Sequence, residues 1–472
     1  MPIGQKTEPV RRSTRRRGVT LAIGLVAALA VLAAACGGGR SGSSDNSGGG
    51  GSSNTKGTSF GTMASPCGSG DAKGATAQGV TDTQITIGYG DDAGYASAPG
   101  LNKEMSDAIK AMIKWCNDQG GINGRQVVGK YYDAAILNVN NVMTEACGQV
   151  FMLVGQGWSL DSAQEQTRVA CGMPSVPTYT VSPQFANGPL MYQPSPNPGD
   201  FMNASPMFTF AQKFPTQVKK AATFYANYAA TIDSTEKAVS AGKQAGWEFL
   251  NCDQVYNIGG EANWTPFLQR LKDCGAEVVY FSGSPNPNFQ NVLDAAKTLN
   301  FNPMWFQEAN FYDTNFAKWN TNGNADNVYV RMTYYPFEQA DKVPAVKQYL
   351  EIVKANGGST SLLGMQATAA FLLWAEAAKS CGSTLSRDCM MSTLAKVTTY
   401  DAGGLQSATN PGANMPGDCG LVLKMKGSIY EQVLPTTIGT QACDSKYLVK
   451  LSGPVVDRAK LDANRISQAG KS

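Results

Sequence analysis

Residues 84–133 constrain this chain more than any other stretch, because they read as a strand, a loop, a helix, a glycine turn and a second strand in that order. Ile85, Ile87 and Tyr89 alternate with Thr86 and Gly88, the period of a strand. Gly90-Asp91-Asp92-Ala93-Gly94-Tyr95 then leaves the strand as a loop. Beyond Leu101, Met105, Ile109, Met112, Ile113 and Cys116 share one face at helical spacing. Gly120-Gly121-Ile122-Asn123-Gly124-Arg125 stops that helix, since glycine and asparagine tolerate the left-handed backbone of a C-cap. Residues 126–132 return as a strand. The unit is βαβ with a long first loop, and parallel α/β sheets take ligands at such loops. Asp91 and Asp92 are expected in a solvated turn, because one loop lacks the further ligands a metal needs.

The alternation continues. A helix over 138–148 and strands over 150–155, 173–178 and 190–193 complete a small sheet. A second set starts near Phe201, with strands over 221–226, 247–250, 277–281, 304–306 and 328–332. Thr265-Pro266 opens one intervening helix, a cap followed by proline at the first helical position. Two helices then follow with no strand between them, 343–356 and 361–380. The second is strongly apolar, but Gln366 and Glu376 interrupt it, so a buried helix is expected rather than a membrane span. Residues 420–430 and 447–451 read as short antiparallel strands. The fold class is α/β, with two doubly wound α/β lobes and a chain that crosses between them more than once.

The first 35 residues stand apart. Arg11, Arg12, Arg15, Arg16 and Arg17 precede an apolar run shorter than a membrane span, which ends in Ala33-Ala34-Ala35-Cys36. Residues 1–35 thus read as a signal peptide, and Cys36 resembles the acylated cysteine of a bacterial lipoprotein, anchored without a spanning helix. Setting the leader aside removes six basic and one acidic residue, so the formal charge of +3 becomes −2. No nucleic-acid partner is indicated. Residues 36–79 are expected to be a glycine- and serine-rich tether too poor in large apolar groups to fold. Gly57-Thr58-Ser59-Phe60-Gly61 matches a hydrolase nucleophile pattern, but it sits in that tether and the chain has no histidine to serve as its base.

Ten cysteines remain after Cys36, an even number in an exported chain, and read as disulfides. Neighbouring elements suggest Cys252–Cys274, Cys381–Cys389 and Cys419–Cys443. Cys67–Cys116 and Cys147–Cys171 complete the set, although these four lie near the amino ends of strands and could exchange partners. Without histidine or a Cys-x-x-Cys pair, no metal or other cofactor is expected.

The strand before the first loop, with the Gly120–Arg125 turn before the next, resembles the start of type I periplasmic solute-binding proteins of the leucine/isoleucine/valine-binding group. The resemblance runs from about Val80 to about Leu451. It implies three crossovers, near residues 196–200, 334–338 and 411–417, with a ligand cleft between the lobes. The first lobe would comprise 80–198 and 337–415, and the second 199–336 and 416–472.

Residues on loops after strand ends are the binding candidates. Trp158-Ser159 precedes a helix whose free amides favour an anion. Thr178 and Thr180 follow the next strand, and Glu308 follows a buried strand and needs a cation or a donor. By resemblance, Ser159 and Thr180 would hold the α-carboxylate of an amino acid and Glu308 its ammonium. Tyr95, Trp158, Tyr228 and Ser284 are expected to line the cleft. The sequence departs from the group where Trp158 and Ala134 replace a disulfided cysteine pair, and where Ser284 falls near an expected tyrosine. An amide, a peptide fragment or an aromatic acid therefore stands beside an aliphatic amino acid as ligand. The resemblance implies a monomeric, non-enzymatic lipoprotein on the outer face of the cytoplasmic membrane, serving the permease and ATPase of an ABC importer. The alternatives are a sensor of the same fold and, more remotely, a hydrolase.

Overall fold

Residues 84–133 form the strand Gln84–Asp91, the helix Lys103–Asn117 and the strand Gln126–Asp133 in the computed structural model, which describes residues 59–459. The leader, Cys36 and the run up to residue 58 lie outside the described residues. Ile85, Ile87, Met105, Ile109, Met112 and Cys116 are all fully buried, so the alternating and helical patterns meet in one core. The turn requires glycine at Gly121. Its φ is +80°, and a Cβ there would lie 2.0 Å from the Arg125 carbonyl oxygen.

The first sheet is parallel, in the order Gln126–Asp133, Gln84–Asp91, Met152–Val154, Ser175–Val176. Residues 190–193 contribute only a bridge between Ser175 and Met191, not a fifth strand. The second sheet runs Gln254–Tyr256, Ala221–Ala226, Val278–Ser282, Met304–Gln307, Val328–Met332 in parallel. Two antiparallel strands, Cys419–Lys426 and Ile429–Leu434, extend it. The strand expected over 247–250 is displaced to Gln254–Tyr256. Residues 247–250 contribute only a bridge between Phe249 and Ala221, and Trp247 is buried against Phe210 and Phe306 as an anchor into the core.

After Val328–Met332 the chain returns to the first lobe. There the helices Pro344–Ala355 and Leu362–Cys381 pack on Lys103–Asn117. The second is buried nearly all round, and among the described residues no helix is long and apolar enough to cross a membrane. The chain then re-enters the second sheet at Cys419, and Leu448–Lys450 pairs antiparallel with Phe201–Asn203. Two sheets fed alternately by one chain require three crossings. The segments around Pro194–Ser195, Thr333–Tyr335 and Leu405–Thr409 are bonded side by side. Ser407 N donates to the Thr333 carbonyl at 2.9 Å and Tyr335 N to Leu405 at 3.0 Å. Thr409 Oγ1 and Gln406 Nε2 both donate to the Pro194 carbonyl, at 2.7 and 2.8 Å. The third bonded segment thus precedes the 411–417 stretch where a crossing was expected. Its backbone and polar side chains, rather than the prolines and glycines that follow, make these contacts.

The tether ends earlier than expected. Ser59–Phe60 pairs with Met63–Ala64, Phe60 is fully buried with its ring edge-on to Trp115, and Cys67 is bridged to Cys116. One aromatic ring supplies the buried surface that the glycine-rich composition of 36–79 obscured. Ser59, the serine of the hydrolase pattern, lies on this small strand pair and not at a strand-to-helix turn. The other bridges are Cys147–Cys171, Cys252–Cys274, Cys381–Cys389 and Cys419–Cys443. None of these cysteines reaches the cavity between the lobes.

Candidate functional site

Because the strands Gln126–Asp133, Gln84–Asp91 and Met152–Val154 are parallel neighbours, the loops at their carboxyl ends converge. They meet the corresponding loops of the second sheet around a cavity of about 310 Å³, lined from both lobes. Tyr95, Ser159, Thr180, Tyr228, Ser284 and Glu308 all line it. Trp158 and Thr178 do not. The Trp158 ring is buried in the first lobe, with its indole N–H 3.4 Å from the Tyr132 carbonyl, and Thr178 donates to the Gly155 carbonyl at 2.8 Å. Both lie on the loops just beyond those strands and are buried in the first lobe.

Asp91 and Asp92 are not solvated. Both are fully buried. Asp91 accepts from the Tyr131 hydroxyl at 2.6 Å and from Ala93 N at 3.0 Å. Asp92 accepts from Ser159 N at 2.7 Å through Oδ2 and from Ile136 N at 2.8 Å through Oδ1. Burial raises the Asp92 pKa, and the Ser159 and Ile136 amides pull it back. The amide expected to be free for a ligand anion at Ser159 is therefore occupied by the chain's own carboxylate. Nor does Ser159 cap a helix. The following turn, Asp161–Gln164, has no side-chain cap, and Asp161 reaches over to accept from Val181 N at 2.7 Å and Ser182 N at 3.0 Å. Burial pushes Asp161 up to about 7 against those bonds. The Thr180 hydroxyl is also committed, donating to Gln193 Oε1 at 3.0 Å.

On the second lobe, Glu308 lies at the end of the strand Met304–Gln307. It accepts from the Tyr280 hydroxyl at 2.7 Å and from Arg331 Nε at 2.7 Å. These two are the only charged side chains lining the cavity among the described residues. Arg331 was missed in the sequence, although it is the one charge in the strand Val328–Met332. The register pairs Gln307 with Val330, so the next residue of each parallel strand stands side by side. Behind the pair, Lys237 donates to Asn197 Oδ1 at 2.6 Å and to the Pro198 carbonyl at 2.7 Å. Burial first, and Arg331 next, lower its pKa to about 7.

Aromatic residues supply much of the wall. Tyr179 and Tyr256, also missed, join Tyr95 and Tyr228. The Tyr228 hydroxyl is buried and has no hydrogen-bond partner. Ser284 donates to the Asn286 carbonyl at 2.9 Å. The cavity thus offers phenols, amides and hydroxyls around one mutually neutralised ion pair.

The family model described as periplasmic binding protein matches residues 84–428. No curated protein matches the chain by sequence. Among solved structures, the fold is similar to a fatty acid ABC transporter substrate-binding protein from Thermomonospora curvata, with a TM-score of 0.65 and 15% identity over 81% of this chain and 97% of that one. It is also similar to a branched-chain amino acid transporter substrate binding protein from Streptococcus pneumoniae in complex with isoleucine. There the TM-score is 0.59 and the identity 15%, over 74% and 99%. A third is the solute binding protein of an ABC transporter from Rhodopseudomonas palustris in complex with 3,4-dihydroxy benzoic acid, with TM-score 0.61 and 16% identity over 76% and 97%. At these identities the likeness is one of fold.

Proposed function

The chain belongs to the periplasmic binding protein family, and from that premise we propose that it is the extracytoplasmic solute receptor of an ABC importer, acting as a monomer anchored through Cys36. It would close its two lobes on a small amino-acid-like solute and hand that solute to a membrane permease and its ATPase. The reading is one of capture and release, not of catalysis. The observation that carries it is the cavity of about 310 Å³ lined from both lobes, with Glu308 and Arg331 as its one charged pair. A ligand shifts the balance between open and closed forms only if it contacts both lobes, and this cavity offers both. Fold-similar proteins whose ligands range from isoleucine to 3,4-dihydroxy benzoic acid support a carboxylate-bearing solute. Glu308 is already bonded to Arg331 and Tyr280, so an ammonium on the ligand would have to share that carboxylate.

The test is a melting-temperature screen of the purified chain, unfolded and refolded once with disulfides intact to strip any solute carried from the host. Amino acids, amides, short peptides and aromatic acids form the panel. A true ligand at a hundred times its Kd adds about 2.7 kcal/mol to the native state. The expected result is a concentration-dependent rise that Arg331→Gln abolishes. A panel that leaves the melting temperature unmoved at millimolar concentrations would count against solute capture.

A further inference from the structure

The charges around the cavity are arranged with a polarity of their own. On the first lobe, Ser159 and Ile136 both line the cavity, and the amides of both are taken by Asp92. The neighbouring amides of Val181 and Ser182 are likewise taken by Asp161. No basic side chain of this lobe lines the cavity among the described residues. On the second lobe, Arg331 uses Nε and Nη2 on one oxygen of Glu308, while the nearest acceptor to its Nη1 is the Asn203 carbonyl, 3.5 Å away. Lys237 adds a second cation behind it.

We propose that Asp92 occupies, as part of the protein, the place a ligand carboxylate would take at Ser159, so that the cleft receives the acid group of its solute at Arg331 and a hydrogen-bond-donating end at the Ser159 wall. This inference rests on the solute-capture reading and adds the orientation and class of the solute. A carboxylate at Ser159 would meet a buried carboxylate whose hydrogen-bond donors are already used, and in a poorly solvated site that repulsion is weakly screened. A hydroxyl, amide N–H or ammonium there meets acceptors instead. The Tyr228 oxygen is one of them, since its hydroxyl has no protein partner and the charges bearing on it are those of Asp92 and Asp161. At the other wall, the guanidinium keeps donors for an incoming acid group. The class that fits carries its acid and its donor at opposite ends of the molecule, as in a hydroxy- or amino-substituted aromatic or chain acid. An α-amino acid, with both groups on one carbon, offers its acid and its donor at a single end. Asp92 acts here as a positioning and selectivity residue, through the amides it holds.

The experiment uses small probes and no knowledge of the natural solute. The full chain, labelled with 15N at serine, isoleucine and arginine, is titrated with acetate and then with methylammonium, a cation of similar size. Acetate should shift the Arg331 side-chain resonances and leave the Ser159 and Ile136 amides unmoved, and Arg331→Gln should remove the acetate response. Methylammonium should shift Ser159 and Ile136. In Asp92→Ala the Ser159 amide is released, and it should respond to acetate at a concentration at least tenfold lower than in the unaltered chain. A merely structural role for Asp92 would not move the anion from one wall to the other. Acetate shifting Ser159 in the unaltered chain, or leaving Arg331 unmoved, would overturn the proposal. So would an Asp92→Ala chain in which Ser159 stays silent. If Asp92→Ala does not fold, the unaltered chain and Arg331→Gln decide the matter alone. Failure of the solute screen with a positive acetate pattern would sink the importer reading while leaving the polarity of the cleft standing.

Discussion

Glu308 and Arg331 show how a pair of charges on a cavity wall serves stability and recognition together. Each side chain is about one-fifth exposed, at 21% and 17%. Removing Arg331 strands a carboxylate that keeps only the Tyr280 hydroxyl as its partner. Loss of one member of a fully buried pair costs about 3–5 kcal/mol, and partial exposure lowers this to roughly 2 kcal/mol. Arg331→Gln should therefore lower the unfolding free energy measured in urea by that amount, and Arg331→Gln combined with Glu308→Gln should recover most of it. At this scale the sequence was half legible. Glu308 could be placed because it ends an apolar strand, but its partner lies on another strand, and strand pairing is a long-range fact that local periodicity does not carry. Asp92 was misread for a related reason. Two aspartates beside glycine resemble a solvated turn until the amides of Ile136 and Ser159, contributed by two further loops, are folded over one of them.

At the scale of elements, the patterns with a clear period were the readable ones. The first strand–helix–strand unit, the strand Val328–Met332 and the two long helices lie within a residue or two of where spacing put them. Elements held by one or two anchors were not readable. The pair Ser59–Phe60 and Met63–Ala64 hangs on Phe60, whose ring is fully buried beside Trp115. Phe60→Ala should cost about 3–4 kcal/mol, the usual range for emptying a buried aromatic site. The same change in a true tether would cost nothing, so chemical denaturation separates the two. Gly61, between the two strands, leaves no room for a side chain, since a Cβ there would lie 2.1 Å from the Gly403 carbonyl oxygen.

Two predictions belong to the whole molecule, and the first comes from the contacts between lobes. Glu104, on the helix Lys103–Asn117 of the first lobe, lies against Asp313, which caps the helix Thr314–Trp319 of the second. Nearby, Leu362 N donates to the Tyr312 carbonyl at 3.0 Å and Thr314 Oγ1 to the Thr360 carbonyl at 2.7 Å, so the lobes meet here by backbone as well. Burial first, and Asp313 next, push Glu104 up to about 8 from an ordinary 4.5. Between those values the native chain keeps a proton that the unfolded chain has lost. This contribution to stability is complete below about 4.5 and is lost as pH rises through about 8, with a slope of at most about 1.4 kcal/mol per unit. Urea midpoints measured from pH 5 to pH 8 should fall, and Glu104→Gln should flatten the trend. The second prediction concerns the bridges. Cys67–Cys116 spans 49 residues and Cys381–Cys389 only 8. Chain entropy assigns them about 4 and about 2.5 kcal/mol, so serine pairs at the first should lower stability more than at the second.

The three crossing segments bonded edge to edge have a mechanical consequence. A single strand joining two bodies lets them swing, twist and slide. Three segments fastened side by side, with Thr333 to Ser407, Leu405 to Tyr335 and Pro194 to both Gln406 and Thr409, suppress twisting and sliding and leave a swing about one axis. The relative position of the lobes then reduces to one angle. A membrane partner that touches both lobes at once need only measure that angle to tell a loaded molecule from an empty one, whatever the solute inside.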